Sequence, residues 1–411
     1  MKKNKIFKLS NLKFSDLKGF TQKLKKIFNK KLDKKNFAEI HFVYGAIAAR
    51  NFVYPISKSL KNKSKIFYQP INKYDIFNSS NVQKLPNWVN TNILLNWKIF
   101  LILPSFFYLS YLVLKYKKAT FVIHMSTYAT IPLFITSLFR VKNRIYFNHG
   151  FANIGSKGII RLALYFLEAL NILLSTKVIT VSPSQLRFLK KDIITKFTPI
   201  KSTQPGSCCG IIKSKIIDKK SLNSKIKKLK DNSSDFIITY IGRPHNRKGY
   251  PLILEIFKNI VKLQPEQKFL LQVLGINPKL VKNDSSDFSL RNNIKAIGYT
   301  NNVFKYLRKS YIVILPSYRE GFGYALLEGA ACGNALICFD IMGPDSLVKN
   351  NFNGLTLQKN ISPFDFAKSV VEVVKDKDNL SKMIINARKS SFRFEQKNVI
   401  KSIRDVFKDN L

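Results

Sequence analysis

Short, almost uninterrupted apolar runs recur along this chain, each followed by a helix-length stretch. That alternation restricts the fold more than any other feature. In the first half the candidate strands are 40–44, 66–68, 120–124, 144–148 and 177–181, with a helical stretch such as 158–174 between them. After a Lys/Ser/Asn-rich break at 203–233, the pattern restarts with strands at 236–241, 269–274, 294–297, 311–315 and 335–338, and helices near 251–263, 323–332 and 364–375. Runs that are apolar on both faces and separated by helices belong to parallel sheets covered on both sides. The expectation is therefore an α/β chain of two similar units, with ligands beyond the carboxyl ends of the strands. The break reads as a linker, or as the first loops of the second unit, with no clear strand.

The 411 residues suit two domains, and 45% hydrophobic residues are enough to fill two cores. Four cysteines, at 208, 209, 332 and 338, give neither a disulfide scaffold nor a C-x-x-C zinc pattern, and fit a reducing compartment. The charge is unusual: 70 Lys+Arg against 24 Asp+Glu leave +46, of which residues 1–200 hold +28. Such an excess points to anionic partners or to a Lys-rich compositional bias. Residues 1–36 read as a basic extension with scattered apolar residues and no secretory signal. The apolar run 99–114 is too short for a span and is interrupted by Pro104, so it reads as a buried or interfacial helix.

Three segments carry candidate chemistry. In the first, a strand runs out at Pro316 and is followed by Glu320-Gly321-Phe322-Gly323-Tyr324 and a helix bearing Glu328. Glycines let the backbone approach a ligand, a helix start favours an anion, and each carboxylate can accept from adjacent sugar hydroxyls. In the second, a strand ends at Gly242, and Arg243 and Lys248, with Arg247 between them, flank a turn suited to a diphosphate. In the third, His149-Gly150 follows a strand of the first unit, where a histidine can bond a hydroxyl or a phosphate oxygen. Each also has a plain structural reading: a helix-start Glu, a solvated basic turn, and a packed histidine.

Taken together these segments resemble the retaining nucleotide-sugar glycosyltransferases of the GT-B fold, in particular glycosyltransferase family 4. Glu320 and Glu328 enclose seven residues, as in the family's paired-Glu hallmark. Gly242-Arg243 with Lys248-Gly249 is similar to its diphosphate site, and His149-Gly150 to its acceptor-domain histidine. Val181-Ser182 and Gly206-Ser207-Cys208-Cys209-Gly210-Ile211 resemble its crossing segments in surface-polysaccharide enzymes. Two departures stand out: only Gly45 is present where members often carry a glycine pair, and 284–292 looks like an added polar loop.

The resemblance implies two Rossmann-like domains facing a cleft: an acceptor domain at 37–205, a donor domain at 206–390, and a C-terminal helix, 391–411, packing back toward the first domain. It implies transfer of a hexose or N-acetylhexosamine from a UDP- or GDP-sugar to a glycan or a polyprenyl-diphosphate-linked sugar in surface-polysaccharide synthesis (lipopolysaccharide or capsule). Arg243, Lys248, Glu320 and His149 would be catalytic. Gly242, Arg243, Lys248, Tyr299, Glu320, Gly321, Phe322, Gly323, Tyr324 and Glu328 would hold the donor, with Tyr299 by the nucleobase and Glu328 on the ribose. No cofactor and no metal are expected, the latter on a reading of the chain as lacking an Asp-x-Asp metal motif. A cytoplasmic location is expected, peripheral at the inner face of the membrane, with an anionic bilayer as a partner and no nucleic acid. The alternatives are an inactive sugar-nucleotide-binding protein of the same fold and a basic nucleic-acid-binding protein.

Overall fold

The structure, a computed structural model, describes residues 37–60, 63–71, 76–87, 89, 102–191, 196–231, 235–285 and 292–408. The basic extension 1–36, the first residues of the apolar run and most of the 284–292 loop lie outside the described residues.

Seven strands form the first sheet: β1 Glu39–Tyr44, β2 Ser64–Gln69, β3 Val82–Lys84, β4 Thr120–His124, β5 Arg144–Asn148, β6 Lys177–Thr180 and β7 Ile200–Ser202. Their order is β3-β2-β1-β4-β5-β6-β7. Six more form the second: β8 Phe236–Ile241, β9 Phe269–Leu274, β10 Ile294–Gly298, β11 Ile312–Leu315, β12 Ala335–Phe339 and β13 Gly354–Leu357, in the order β10-β9-β8-β11-β12-β13. All pairs are parallel. Central strands such as β11 and β12 are buried along their whole length, which is why they read as unbroken apolar runs. In each sheet the strand order reverses once, between β1 and β4 and between β8 and β11, and the loops leaving such a reversal open a crevice. This is the GT-B architecture of two facing α/β domains.

Three strands gave no clear sequence signal. β3 and β7 are three-residue edge strands with mixed polarity, and β13 begins in a glycine. The 203–233 break is likewise more than loop. Within it lies the helix Lys219–Lys230, started by Asp218, whose side chain accepts from Ser221 N at 2.9 Å. Its lysines conceal an apolar stripe of Leu222, Ile226 and Leu229 facing the core. Lys225 on the same face is buried and donates to Cys332 O, Gly333 O and Asn334 Oδ1, and burial pulls its pKa down to about 7.

One apolar cluster belongs to both domains. It joins Ile145, Phe147 and Val181 of the first to Val313, Phe322 and Leu326 of the second. The chain crosses between the domains twice in adjacent paths: Ile211 N donates to Phe394 O at 2.7 Å, and Gln396 N donates to Ile211 O at 2.7 Å. The closing helix, Gln396–Lys408, then lies on the first domain. Its Arg404 bonds Glu39 and Ile56 O, and its Val406 O accepts from Lys177 Nζ at 2.5 Å.

The apolar run forms the helix Ile102–Lys115, with Pro104 in the first turn, where a missing N–H costs nothing. It buries Tyr108, Leu109, Leu112 and Val113 but exposes Leu103, Phe107 and Leu114. Among the described residues no helix is long and apolar enough to cross a membrane.

Candidate active site

The residues expected to hold a donor gather mostly at the carboxyl ends of β8 and β11, the two strands flanking the reversal in the second sheet. After β8 the chain makes a short turn over Asn246–Lys248, with His245 Nδ1 accepting from Arg247 N at 3.0 Å. Gly249 ends it at φ 69°, and a β-carbon there would sit 2.1 Å from Pro316 O. Only glycine fits, so the turn is pressed against the start of the β11 loop. That contact brings the two segments into register: Lys248 Nζ donates to Glu320 Oε1 at 2.5 Å, and Tyr318 N donates to Arg247 O at 2.9 Å.

Arg247, Lys248 and Arg319 stand around Glu320, with Arg243 beside Arg247. Burial and the Arg243 charge lower the Arg247 pKa, and burial with the Arg247 charge pulls Arg319 down to about 10. Arg247 Nε is buried with no hydrogen-bond partner. Crowded cations with a spare buried donor are poised for an anion that brings several acceptor oxygens. Arg319 also reaches across the domain boundary, donating to Ala152 O and Ile154 O at 2.5 and 2.8 Å. The sequence reading passed over Arg319, although it adjoins Glu320.

Glu328 lies in the helix Tyr324–Ala331, half-buried, and its carboxyl has no hydrogen-bond partner among the described residues. Burial raises its pKa to about 8. An unpartnered, desolvated carboxyl needs donors, and a pair of sugar hydroxyls supplies two.

The Glu320–Gly323 loop faces the first domain. A β-carbon on Gly321 would lie 2.0 Å from His149 O, and one on Gly150 would lie 3.6 Å from the Gly321 backbone. His149, just past β5, is therefore brought to the Glu320–Gly323 loop. Its Nε2 is 2.9 Å from His124 Nδ1, and burial lowers its pKa to about 4. Beside this contact, Asp345 accepts from Ser184 Oγ at 2.7 Å and from Arg187 at 3.3 Å, tying the second domain to the Pro183–Leu189 helix of the first. The sequence reading missed this tie as well.

Two residues of this loop, expected to offer their backbone amides, send their side chains elsewhere. Phe322 is buried against Phe394, with ring centroids 5.1 Å apart, in the shared interdomain cluster. Tyr324 donates to Gly210 O at 2.8 Å and packs edge-on against Phe52. Their backbone belongs to the loop; their side chains join the domains. Gly242 closes β8, donating to Leu274 O at 3.1 Å. Tyr299 follows β10, two strands from β8, and is 62% exposed. One sequence reading was wrong as stated: Asp376-Lys377-Asp378 does have Asp-x-Asp spacing. Asp376 caps the Lys377–Ser391 helix and Asp378 pairs with Lys230 at 2.5 Å on the surface, so this is a capping pattern away from the site.

Residues 223–390 match the family model described as "Glycosyl transferases group 1". The chain is 30% identical over 198 residues to the UDP-Gal:alpha-D-GlcNAc-diphosphoundecaprenol alpha-1,3-galactosyltransferase of Escherichia coli, covering 47% of this chain and 50% of that one. It is 27% identical over 297 residues to the capsular polysaccharide biosynthesis glycosyltransferase CapM of Staphylococcus aureus, covering 68% and 74%. The match thus spans about half the length of the galactosyltransferase. The structure of Anabaena HepE in complex with UDP-glucose superposes with a TM-score of 0.66 at 15% identity, covering 90% of this chain and 98% of that one, which shows a shared fold.

Proposed function

We propose that this chain is a retaining glycosyltransferase that moves a hexose or N-acetylhexosamine from a nucleotide diphosphate sugar to a glycan or lipid-linked sugar during surface-polysaccharide synthesis. The observation that carries the reading is the cluster of Arg247, Lys248 and Arg319 around Glu320, with Arg243 beside Arg247 and the unpartnered Glu328 carboxyl on the helix that follows. Arg243 and Lys248 hold the diphosphate and stabilise the charge that builds on it as the sugar leaves. Fixed cations fill the place a metal takes in other transferases. Glu328 accepts from the ribose hydroxyls, and Glu320 meets the donor sugar once phosphate oxygens compete for Lys248. His149 faces the sugar from the acceptor domain. The acceptor attacks from the face the diphosphate leaves, so configuration is retained. The donor is a UDP-sugar in this reading; the HepE neighbour's complex with UDP-glucose supports it.

The acceptor belongs at a membrane surface. The helix Gly158–Leu174 exposes Ile159, Ile160, Leu162 and Phe166 next to exposed Lys157 and Arg161, apolar and cationic groups suited to an anionic bilayer. The Escherichia coli relative's name gives a diphosphoundecaprenol acceptor, in keeping with that placement.

The test is thermal shift against a panel of nucleotide sugars, then a turnover assay with the sugar that binds. A rise in Tm with one nucleotide diphosphate sugar, lost in Lys248→Ala, is expected. No shift with any nucleotide in folded protein sinks the reading and favours a nucleic-acid partner, for which DNA binding falling steeply with salt is the check.

A further inference from the structure

Three of the chain's four histidines stand in one line that ends at His149. Neighbouring strands β1, β4 and β5 deliver His41, His124 and His149 in turn. His124 Nδ1 lies 2.9 Å from His149 Nε2, His124 Nε2 lies 3.2 Å from His41 Nδ1, and His41 Nε2 lies 3.2 Å from Glu39 Oε2. Arg404 of the closing helix bonds the other oxygen of Glu39. His41 and His124 are 0% and 1% exposed, so water does not compete for these contacts.

A neutral imidazole has one donor and one acceptor nitrogen, so this line has two self-consistent hydrogen patterns. In the first, every ring donates from Nε2 toward Glu39, and His149 Nδ1 is left bare. In the second, His41 carries both protons beside the Glu39 carboxylate, and His124 and His149 carry theirs on Nδ1. The two differ by one proton. When it arrives at His149 Nδ1, the Nε2 proton of His149 passes to His124 and that of His124 passes to His41.

We propose that Glu39, His41 and His124 are positioning residues that act through His149: they present its Nδ1 as an acceptor for a substrate hydroxyl proton and hold that proton beside Glu39. The assignment rests on the transferase reading above. In the transfer step the acceptor O–H bond breaks and its proton goes to His149 Nδ1. The oxygen bonds the anomeric carbon as the bond to the diphosphate breaks, and the diphosphate keeps that electron pair. The proton returns to solvent by the same path after product leaves.

The surroundings fit this role. Burial pushes the Glu39 carboxyl up, but the His41 hydrogen bond and the charges of His41 and Arg404 hold it below its usual value, so it stays an anion. Burial depresses His124 and His149, which disfavours a lasting positive charge on either ring. His149 Nδ1 has no hydrogen-bond partner among the described residues. The charged groups facing the line are Glu39 from β1, Arg404 from the closing helix and Glu168, which reaches Asn148 next to His149 from the Gly158–Leu174 helix.

Nitrogen-15 NMR of the histidine-labelled full chain tests the line without any substrate. His245→Asn removes the one ring outside it. Across about pH 5 to 9 the three rings should switch together. Each should be protonated on Nε2 at the alkaline end, and only His41 should become charged as the proton enters. Glu39→Gln, which can still accept from Arg404, should move the switch to lower pH by about one unit or more. His149 protonated on Nδ1 at the alkaline end, rings that titrate independently, or an unmoved switch in Glu39→Gln overturns the proposal. In the turnover assay Glu39→Gln should lower kcat about tenfold or more, with donor KM within about twofold. A concerted switch in a protein that turns over no nucleotide sugar would leave the relay standing and remove the transferase reading.

Discussion

Lys248 and Glu320 come from loops 72 residues apart and meet at 2.5 Å, where the loops after β8 and β11 lie side by side. The pair is about one-fifth exposed on the lysine side and one-tenth on the glutamate side, so it is partly shielded from water. A diphosphate entering here exchanges one anionic partner of Lys248 for another. Lys248→Ala should therefore weaken binding of a nucleotide diphosphate by about 10- to 100-fold, the worth of one charged hydrogen bond. Lys248→Arg should recover only part of it, since a guanidinium does not occupy the place of an ammonium. Calorimetric titration with UDP measures both.

In the proposed donor site Glu328 should make binding depend on pH. Its pKa is raised to about 8 by burial, so in the free protein it is mostly protonated at neutral pH. Ribose hydroxyls bind the ionised form and pull the pKa down. Affinity should then rise with pH, by up to about tenfold per unit, and level off above the free-protein pKa. Glu328→Gln should bind less tightly at the alkaline end and lose the slope. A flat profile in the wild type counts against Glu328 as the ribose ligand.

At Gly321 the two domains meet backbone to backbone. Gly321→Ala puts a methyl 2.0 Å from His149 O, too close for any packing without separating the two backbones. Lys248 and Glu320 both belong to the second domain. UDP binding should stay within about threefold of wild type while turnover falls about 100-fold, because positioning across the boundary is lost. Loss of both in equal measure would mean that the substitution unfolds the loop.

Glu168 ties stability to pH in the opposite sense from most acids. Burial raises its pKa to about 7, although Ser126, Tyr146 and Asn148 donate to it. Between its unfolded value and that raised value the folded chain binds the extra proton. Stability is thus fully present at low pH and is lost as pH climbs through about 7, at about 1.4 kcal/mol per unit at most. Glu328, also raised by burial, adds to the same trend. Urea melts at successive pH values in wild type and Glu168→Gln should show a shallower dependence in the variant.

Much of this could be read from the chain. β4, β5, β8 and β9 have the boundaries their apolar runs predict, because strands buried on both faces leave no alternation to misread. The Gly321–Gly323 loop and the Arg243–Lys248 turn likewise carry local chemistry that survives without a partner in view. What stayed hidden is relational. His41 and His124 look like ordinary residues in apolar strands until parallel pairing sets them side by side. Phe322 and Tyr324 sit in a binding motif, yet their side chains point into the domain junction, a fact that depends on Gly206, Phe394 and Phe52 far away in sequence. Arg319 is legible only once the Ala152 and Ile154 carbonyls come to meet it.

The paired crossing of Ile211 beside Phe394 and Gln396 has a mechanical consequence. Two chain segments bonded to each other behave as a ribbon: stiff against shear, soft to folding about its own breadth. Relative rotation of the two domains is therefore easiest about that breadth. The closing helix is anchored to the first domain through Arg404 and Val406, so it travels with the acceptor side. Gly210-Ile211 is one strip of that ribbon and Phe394–Gln396 the other.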